Sequence, residues 1–410
     1  MNRKSENASG KSMLEGVKIV DMTSVVFGPY ATQMLADLGA DVIKVEAPEG
    51  DQFRHSAKPA KTRGMSPGFM ALNKNKRSIV LDLKSEDDSK VMANLLETAD
   101  LFIHNVRLNA IEKLGFGPDQ VKPLNQNLIY LHCVGFASGG PYDGLQAYDD
   151  VIQAASGVAT LSGRVDGSGK ARYIPSLIAD KVAGLYAAQA ALAAFIHRLR
   201  TGQGQFVEVP MFEAFSQFML AEHLGGLTFD PPNAAVGYPR QLDPDRQPFS
   251  TSDGYISIVP YTVESWTTVF AVIDDLDFLK REDLETPREQ FIGQHKLYQR
   301  LAEITPSATT AEWIERFRAA RIPCMPVRDL GDMLDDPQLS QNGFFERREH
   351  PSEGGWYDMN RPVRFSAQGR TDHLPPPRIG EHSDEIRAEI KRRLSASGRS
   401  RHQKQEQVND

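Results

Sequence analysis

Residues 17–46 read VKIVDMTSVVFGPYATQMLADLGADVIKVE, and this stretch decides the fold. Residues 17–20 and 42–45 are short apolar runs rich in Val and Ile, the pattern of strands buried on both faces. Between them, 31–38 carries apolar residues at helical spacing, and Gly39 supplies the stop. A strand, a helix and a strand in that order make a βαβ unit, which requires a parallel sheet.

The alternation continues outward: a strand over 78–81, a helix over 85–98, a strand over 101–104, a helix over 108–114 and a strand over 128–134. This is an α/β, doubly wound layout. A helical segment begins near Asp149 and runs to Ala155, and 163–170, with three glycines, reads as a loop or hairpin. In 180–199, Val182, Leu185, Ala188, Leu192 and Ile196 share one face of a long helix that ends on Arg198, Arg200 and Gly202. A strand over 205–210 and a helix over 211–225 follow. Five prolines in 229–248 mark a linker or an extended crossing segment. A strand over 255–259 and helices over 264–272, 296–304 and 310–319 predict a smaller α+β domain, after which the chain returns to the first.

The expected organisation is a disordered amino terminus (1–12), a large domain (13–228), a linker and small domain (229–326), a return to the large domain (327–390) and a disordered basic tail (391–410).

Composition narrows the function. The 410 residues carry a net charge of −7, so nucleic acid is not the expected partner. The two ends hold +2 and +4, which leaves −13 on the body between them. The apolar run 182–196 falls short of the ~20 residues of a membrane span. The first residues, MNRKSENASGKS, lack the apolar core of a secretory signal. No membrane association and a cytoplasmic location are therefore expected. Cys133 and Cys324 are expected as reduced thiols, and no His or Cys falls into metal-ligand spacing, so no metal is expected.

Four features carry candidate chemistry. Glu46 ends the second strand, where a dinucleotide enzyme often places an acid on a ribose, but Gly28-Pro29 offers no G-x-G-x-x-G fingerprint. Lys74, Lys76, Arg77 and Lys84 form a basic cluster that reads either as a phosphate site or as a solvated strand entrance. Asp180 precedes a long apolar helix and reads as an N-cap; a carboxylate there, held ionised by the helix dipole, can also attack an activated carbonyl. Tyr148 stands beside Asp149 and Asp150 at a helix start, where a packing role is the plain reading.

The ordered segments LEGVKIVDMTSVVFGPYATQMLADLGADVIKVEAPEGD, NKNKRSIVLDLK, ADLFIHN, AYDDVIQAASG, IADKVAG and RTGQGQFVEVPMFEA resemble the class III CoA-transferases, the formyl-CoA transferase and carnitine CoA-transferase group. FSTSDGYISI, RIPCMPV and RIGEH extend the resemblance over about residues 13–390. It implies a Rossmann-like large domain built from both chain ends, a smaller α+β domain and two ring-shaped subunits interlocked as a homodimer. Coenzyme A, as an acyl-CoA, and a small carboxylic acid are the implied substrates.

The resemblance makes Asp180 the nucleophile, carrying a mixed anhydride and then an aspartyl-CoA thioester, with Tyr148 beside it. Val25, Val26, Leu81, Lys84 and Asn105 match positions that contact CoA in relatives. Lys113 stands where a relative has Arg, Gln146 where formyl-CoA transferase has Lys, Ala47 where it has Arg, and Val26 where it has Gln. With two cationic contacts missing, the phosphates are expected to be met by Lys76 and Arg77, or by Lys74 or Arg54. A sister branch, the α-methylacyl-CoA racemases, uses a His–Asp pair. Tyr148 occupies the His position here, and a phenol of unperturbed pKa about 10 is a poor general base. The tetraglycine loop of formyl-CoA transferase is absent. In its place VGYPRQLDPDRQPFS offers Arg240 and Arg246, which read either as a clamp for the second carboxylate of a diacid such as succinate or as solvated side chains.

Overall fold

β1 (Lys18–Met22), α1 (Phe27–Asp37) and β2 (Asp41–Glu46) form the βαβ unit of residues 17–46, with β1 and β2 paired in parallel from Lys18↔Asp41 to Asp21↔Lys44. The computed structural model describes residues 12–367 and 373–406, of which 397–406 are backbone only. The helix starts four residues earlier than the apolar spacing indicates. Gly28 is what allows this, because a Cβ there would meet the Thr23 side chain at 2.3 Å.

Next come α2 (Pro67–Leu72), β3 (Lys76–Val80), α3 (Glu86–Leu96), β4 (Leu101–His104), α4 (Leu108–Lys113), α5 (Pro118–Val121), β5 (Ile129–Val134) and α6 (Asp149–Ala155). After α7 (Leu161–Val165) come α8 (Ile178–Thr201), β6 (Gln205–Pro210) and α9 (Met211–His223). The six strands are all parallel and lie in the order β3-β2-β1-β4-β5-β6. Strand order reverses between β1 and β4, so the connections leaving these two strands diverge to opposite faces and open a crevice at their carboxyl ends.

On one face Val20, Ile43, Phe102 and Tyr130 pack under Met92 and Leu96 of α3, Ile111 of α4 and Ile386 and Ile390 of the final helix, Ser383–Glu406. On the other, α8 lies against α1, with Ala179, Ala183, Ala187, Ala191 and Ala194 buried. These small residues let the helices approach closely: at Gly184 a Cβ would meet the Phe27 carbonyl and the Tyr30 ring, each at 2.9 Å. By length and composition α8 could cross a membrane. Its Ala face, however, packs against α1, α6, β5 and β6.

Six buried charges sit beneath the crevice. Asp21 accepts from Lys76 Nζ (3.1 Å) and Thr32 Oγ1 (2.7 Å). Lys44 Nζ donates to Asp51 Oδ2 and to the Thr23 carbonyl, both at 2.9 Å. Arg54 grips Glu46 with two bonds of 2.7 Å and lies 3.7 Å from the centre of the Phe69 ring. Glu46, considered above for a ribose, is thus occupied by an internal guanidinium.

Two units emerge. The first comprises the described residues up to Val158, Tyr173–Met219 and those from Asn342 onward; the second comprises Ala159–Arg172 and Leu220–Gln341. The boundaries expected at 229 and 326 shift outward. The Gly226 backbone packs against Ala234, and the turns over Leu330–Asp335 and Pro337–Gln341 fold with the second unit. Of residues 163–170, read as a loop or hairpin, 163–165 belong to the helical turn α7 and the rest follow it in that unit. Its core gathers Trp266, Phe270, Tyr298, Trp313 and Phe317 beside the antiparallel strands β7 (Phe249–Ser250), β8 (Tyr255–Ile258) and β9 (Cys324–Pro326). In the first unit, β10 (Phe345–His350) and β11 (Gly354–Met359) form a hairpin.

Of the tail expected to be disordered from 391, the final helix is described to Glu406, and 407–410 lie outside the described residues. Ile386 and Ile390, one turn apart, anchor it in the core, and the Pro-free residues beyond propagate the helix. The amino-terminal expectation falls almost entirely on 1–11, outside the described residues.

Removing one partner of a buried ion pair strands the other charge. Lys76→Ala is therefore expected to destabilise the fold by about 3–5 kcal/mol, measured by urea denaturation.

Candidate active site

The crevice is a cleft of about 900 Å³, lined from the first unit alone. Its floor is the turn after β1, held in an uncommon conformation. Val25 has φ +70°, a left-handed backbone that costs a β-branched residue on the order of 1–3 kcal/mol. Three contacts hold it there. The Val25 N–H donates to Asp51 Oδ1 (3.0 Å), the Ser24 N–H donates to Asn105 Oδ1 (3.0 Å), and Asn105 Nδ2 returns a bond to the Ser24 carbonyl (2.9 Å).

Asp180 lies in the first turn of α8 and is only 8% exposed. The capping position belongs to Leu177, which makes no side-chain cap, so Asp180 is not the N-cap its sequence position indicates. Its own N–H donates to Asp149 Oδ1 (3.0 Å). Gln153 donates to Asp149 Oδ2 (2.6 Å), accepts from the Ile174 N–H and donates to the Ser176 carbonyl, tying α6 to the segment that leads into α8.

Burial, and secondarily the Asp149 carboxylate, push the Asp180 carboxyl up to about 7. Desolvation and a like charge thus oppose the ionising effect expected of the helix dipole. Tyr148, 61% exposed, precedes α6 and lines the cleft with Asp180.

Of the other positions drawn from the resemblance, Val25, Asn105, Gln146 and Ala47 line the cleft. The rest fall outside its lining. Val26 is buried as the residue ahead of α1, and Leu81 is a core residue. Lys84 and Lys113 are exposed away from the cleft wall.

The phosphate role expected of Lys76 and Arg77 is corrected by their partners. Lys76 Nζ is saturated by Asp21, Thr32, Asn73 and the Pro29 carbonyl. Arg77 is held by Asp41, Glu385 and Glu389. Lys74 bonds Asp358 at 2.8 Å, and Arg54 is bound to Glu46. Arg240 and Arg246 belong to the second unit. Arg240 donates to the Pro260 carbonyl and stacks 4.2 Å from the Tyr261 ring centre, and Arg246 donates to Gln241.

Among the described residues, the Lys or Arg that does line the cleft is Arg107, which sequence reasoning passed over. It immediately precedes α4, on the face of the sheet opposite α8. Its signal was its place two residues beyond Asn105, at the switch strand's carboxyl end.

A buried carboxylate at the switch point of a doubly wound parallel sheet, with an exposed cation across the crevice, fits an enzyme that works on an anionic ligand. Residues 14–383 match CoA-transferase family III, and the chain belongs to that family of enzymes. It is 28% identical to succinyl-CoA:glutarate CoA-transferase of Homo sapiens, over 92% of this chain and 86% of the relative. It is 31% identical to formyl-CoA:oxalate CoA-transferase of Streptomyces coelicolor, over 91% and 94%. The crystal structure of a CAIB/BAIF family protein from Brucella suis superposes with a TM-score of 0.80 at 29% identity, covering 92% of this chain and 99% of that one.

Two outcomes are expected. Gly184→Ala forces α8 away from α1 and moves Asp180, lowering kcat by on the order of 100-fold in steady-state assays while the protein stays folded by circular dichroism. Asp180→Asn raises thermal stability with a defined pH dependence. Below pH 3.8 the Asp is protonated whether folded or unfolded, and the variant gains nothing. The gain grows as pH rises toward about 7, where the folded carboxyl ionises, and is constant above that. Melting curves from pH 4 to 8 check it.

Proposed function

We propose that this enzyme moves CoA from an acyl-CoA to a free carboxylic acid, with Asp180 as the covalent carrier. The single observation that carries the reading is Asp180 itself: a buried carboxylate in the wall of the switch-point cleft, with its backbone fixed by Asp149.

Ionised Asp180 attacks the acyl carbonyl carbon. A carbon–oxygen bond forms, the carbon–sulfur bond breaks, and CoA leaves as its thiolate. The thiolate attacks the Asp180 carbonyl carbon of the resulting anhydride, releasing the first acid as carboxylate and leaving CoA on Asp180 as a thioester. The acceptor carboxylate attacks that thioester and expels the thiolate. The thiolate then attacks the acceptor's acyl carbon, giving the new acyl-CoA and free Asp180. The thioester's free energy stays on the enzyme throughout.

The carboxyl ends of β1 and β4 supply the rest. Val25 and Asn105 line the path of the pantetheine arm, and Arg107 meets a phosphate of CoA. The first N–H groups of α1, a helix with no side-chain cap, open beside the cleft at Phe27 and favour the oxyanion that develops at each attack. The interlocked homodimer implied by the resemblance is part of the proposal. Exposed Leu185, Ile196, Leu199 and Phe218 supply apolar surface for it.

Asp180→Ala is expected to lose transferase activity by several orders of magnitude, and hydroxylamine added during turnover to convert Asp180 to its hydroxamate, read by peptide mass. Transfer by Asp180→Ala at the wild-type rate would rule the mechanism out. Because Asp180 must be ionised to attack, kcat/KM should rise with pH and level off above about 7.

A further inference from the structure

Gln153 of α6 is fully buried, and both polar atoms of its amide are engaged. Its Oε1 accepts from the Ile174 N–H (2.8 Å). Its Nε2 faces the Ile174 carbonyl (3.3 Å), the Ser176 carbonyl (3.1 Å) and Asp149 Oδ2 (2.6 Å). These partners fix which way the amide points. Turned over, its oxygen would face two carbonyls and a carboxylate, and its NH2 a backbone N–H. The backbone of 174–176 therefore directs a donor at Asp149.

Asp149 is itself buried, and its other oxygen receives the Asp180 N–H (3.0 Å). Among the described residues its hydrogen-bond partners are these N–H groups, so a hydrogen placed on its carboxyl would meet donors. Two such bonds favour the acceptor-only carboxylate. Asp180 has the opposite surroundings, since burial first and the Asp149 charge second favour its neutral form. The helix that carries it starts at Leu177 without a side-chain cap, and the segment ahead of that start is the one Gln153 holds. One amide thus restrains both the neighbouring charge and the chain leading to Asp180.

The other titratable groups on the elements packed against α8 are differently occupied. His132 and Cys133 of β5 are neutral at pH 7, because burial pushes the imidazole down and the thiol up. Glu208 of β6 accepts from the Ser138 N–H (3.0 Å), and Lys181, next to Asp180, donates to Ser176 Oγ (2.7 Å). Tyr30 of α1 meets α8 at Gly184, and Tyr148 and Asp150 at the start of α6 are exposed.

We propose, resting on the transferase reading above, that Gln153 is a positioning residue for the reaction. It commits Asp149 to the carboxylate form, which holds the Asp180 backbone and leaves Asp180 as the member of the pair that takes up and releases the proton.

The test compares wild type, Gln153→Met, Asp149→Asn and the double variant by steady-state kinetics from pH 5 to 9. Met has nearly the length of Gln but no donor, so Asp149 takes up the proton in its place and no longer opposes ionisation of Asp180. The midpoint of kcat/KM is expected to fall from about 7 by about one pH unit, and kcat to drop by on the order of 10-fold. Asp149→Asn is expected to lower the midpoint likewise, and adding Gln153→Met to move it no further. A glutamine that only supported the fold would lower kcat or the melting temperature and leave the midpoint in place. That result, or a further shift in the double variant, would overturn the proposal while leaving the transferase reading intact.

Melting curves repeat the test without turnover. The stability gained by Asp180→Asn is expected to level off at a lower pH in the Gln153→Met background than in wild type, and an unchanged plateau overturns the proposal. A wild type that is folded by circular dichroism yet exchanges CoA with no donor or acceptor would overturn the transferase reading and the role in the reaction with it, whatever the melting curves show. Should Gln153→Met fail to fold, the single variants decide. At pH 6 Asp149→Asn is expected to lower the melting temperature and Asp180→Asn to raise it, and the reverse order overturns the placement of the proton.

Discussion

Asp51 is the group on which the cleft depends. One of its oxygens receives the N–H of Val25 and the other the ammonium of Lys44, so a single buried carboxylate joins the β1–α1 turn to strand β2. Lys44 in turn donates to the Thr23 carbonyl, two residues before Val25. Left-handed backbone at a valine persists only where its surroundings overdetermine it. Here two hydrogen bonds and an ion pair set the direction from which α1 starts. That direction places Phe27 against α8, and α8 carries Asp180. The position of Asp180 is therefore inherited through helix packing from a charge pair at the other end of the turn.

Much of this was legible in the sequence because periodicity reports burial. Buried parallel strands are continuous apolar runs, so the bounds of β4 and β6 were read without error and those of β1, β2, β3 and β5 to within two residues. The long α8 was equally plain. The hairpin β10–β11 was not. Its strands, FERREH and GGWYDM, alternate weakly, and their registry is secured by long-range partners such as Lys74 with Asp358 and Glu353 with the Lys61 and Thr62 amides. Contacts between residues nearly 300 positions apart leave no local signature. Neither did the excursion of Ala159–Arg172 into the second unit, because short glycine-rich segments fold wherever their flanks deliver them.

The charges were the part least open to reading from order alone. An acidic body with a basic cluster at 74–84 points to a phosphate site, since Lys and Arg are usually exposed. In this fold the cluster begins β3, an edge strand whose start packs against Asp21, Asp41 and Asp358. Lys74, Lys76 and Arg77 are spent on acids of this chain while Lys84 stays exposed, and the pairing is also why Asp21 and Lys76 can both be fully buried. Asn105, by contrast, matched through the family resemblance, lines the cleft, and two residues on the same turn reaches Arg107. Residues at strand ends on a topological switch point are forced toward the cleft whatever their type, so there topology identifies the ligand-facing side chains better than charge does.

Asp149 gives the site its balance. As a hydrogen-bond acceptor it fixes the backbone of Asp180, and as a charge it makes Asp180 harder to ionise. A carboxylate of ordinary pKa would be wholly ionised at neutral pH but a weak nucleophile; one raised to about 7 is about half ionised and more basic. In the proposed mechanism the aspartyl oxygen must also leave again when the thiolate attacks the acceptor's acyl carbon, and too basic a carboxylate would leave slowly. In that mechanism a value near 7 suits one oxygen to serve as both attacking and leaving group at neutral pH.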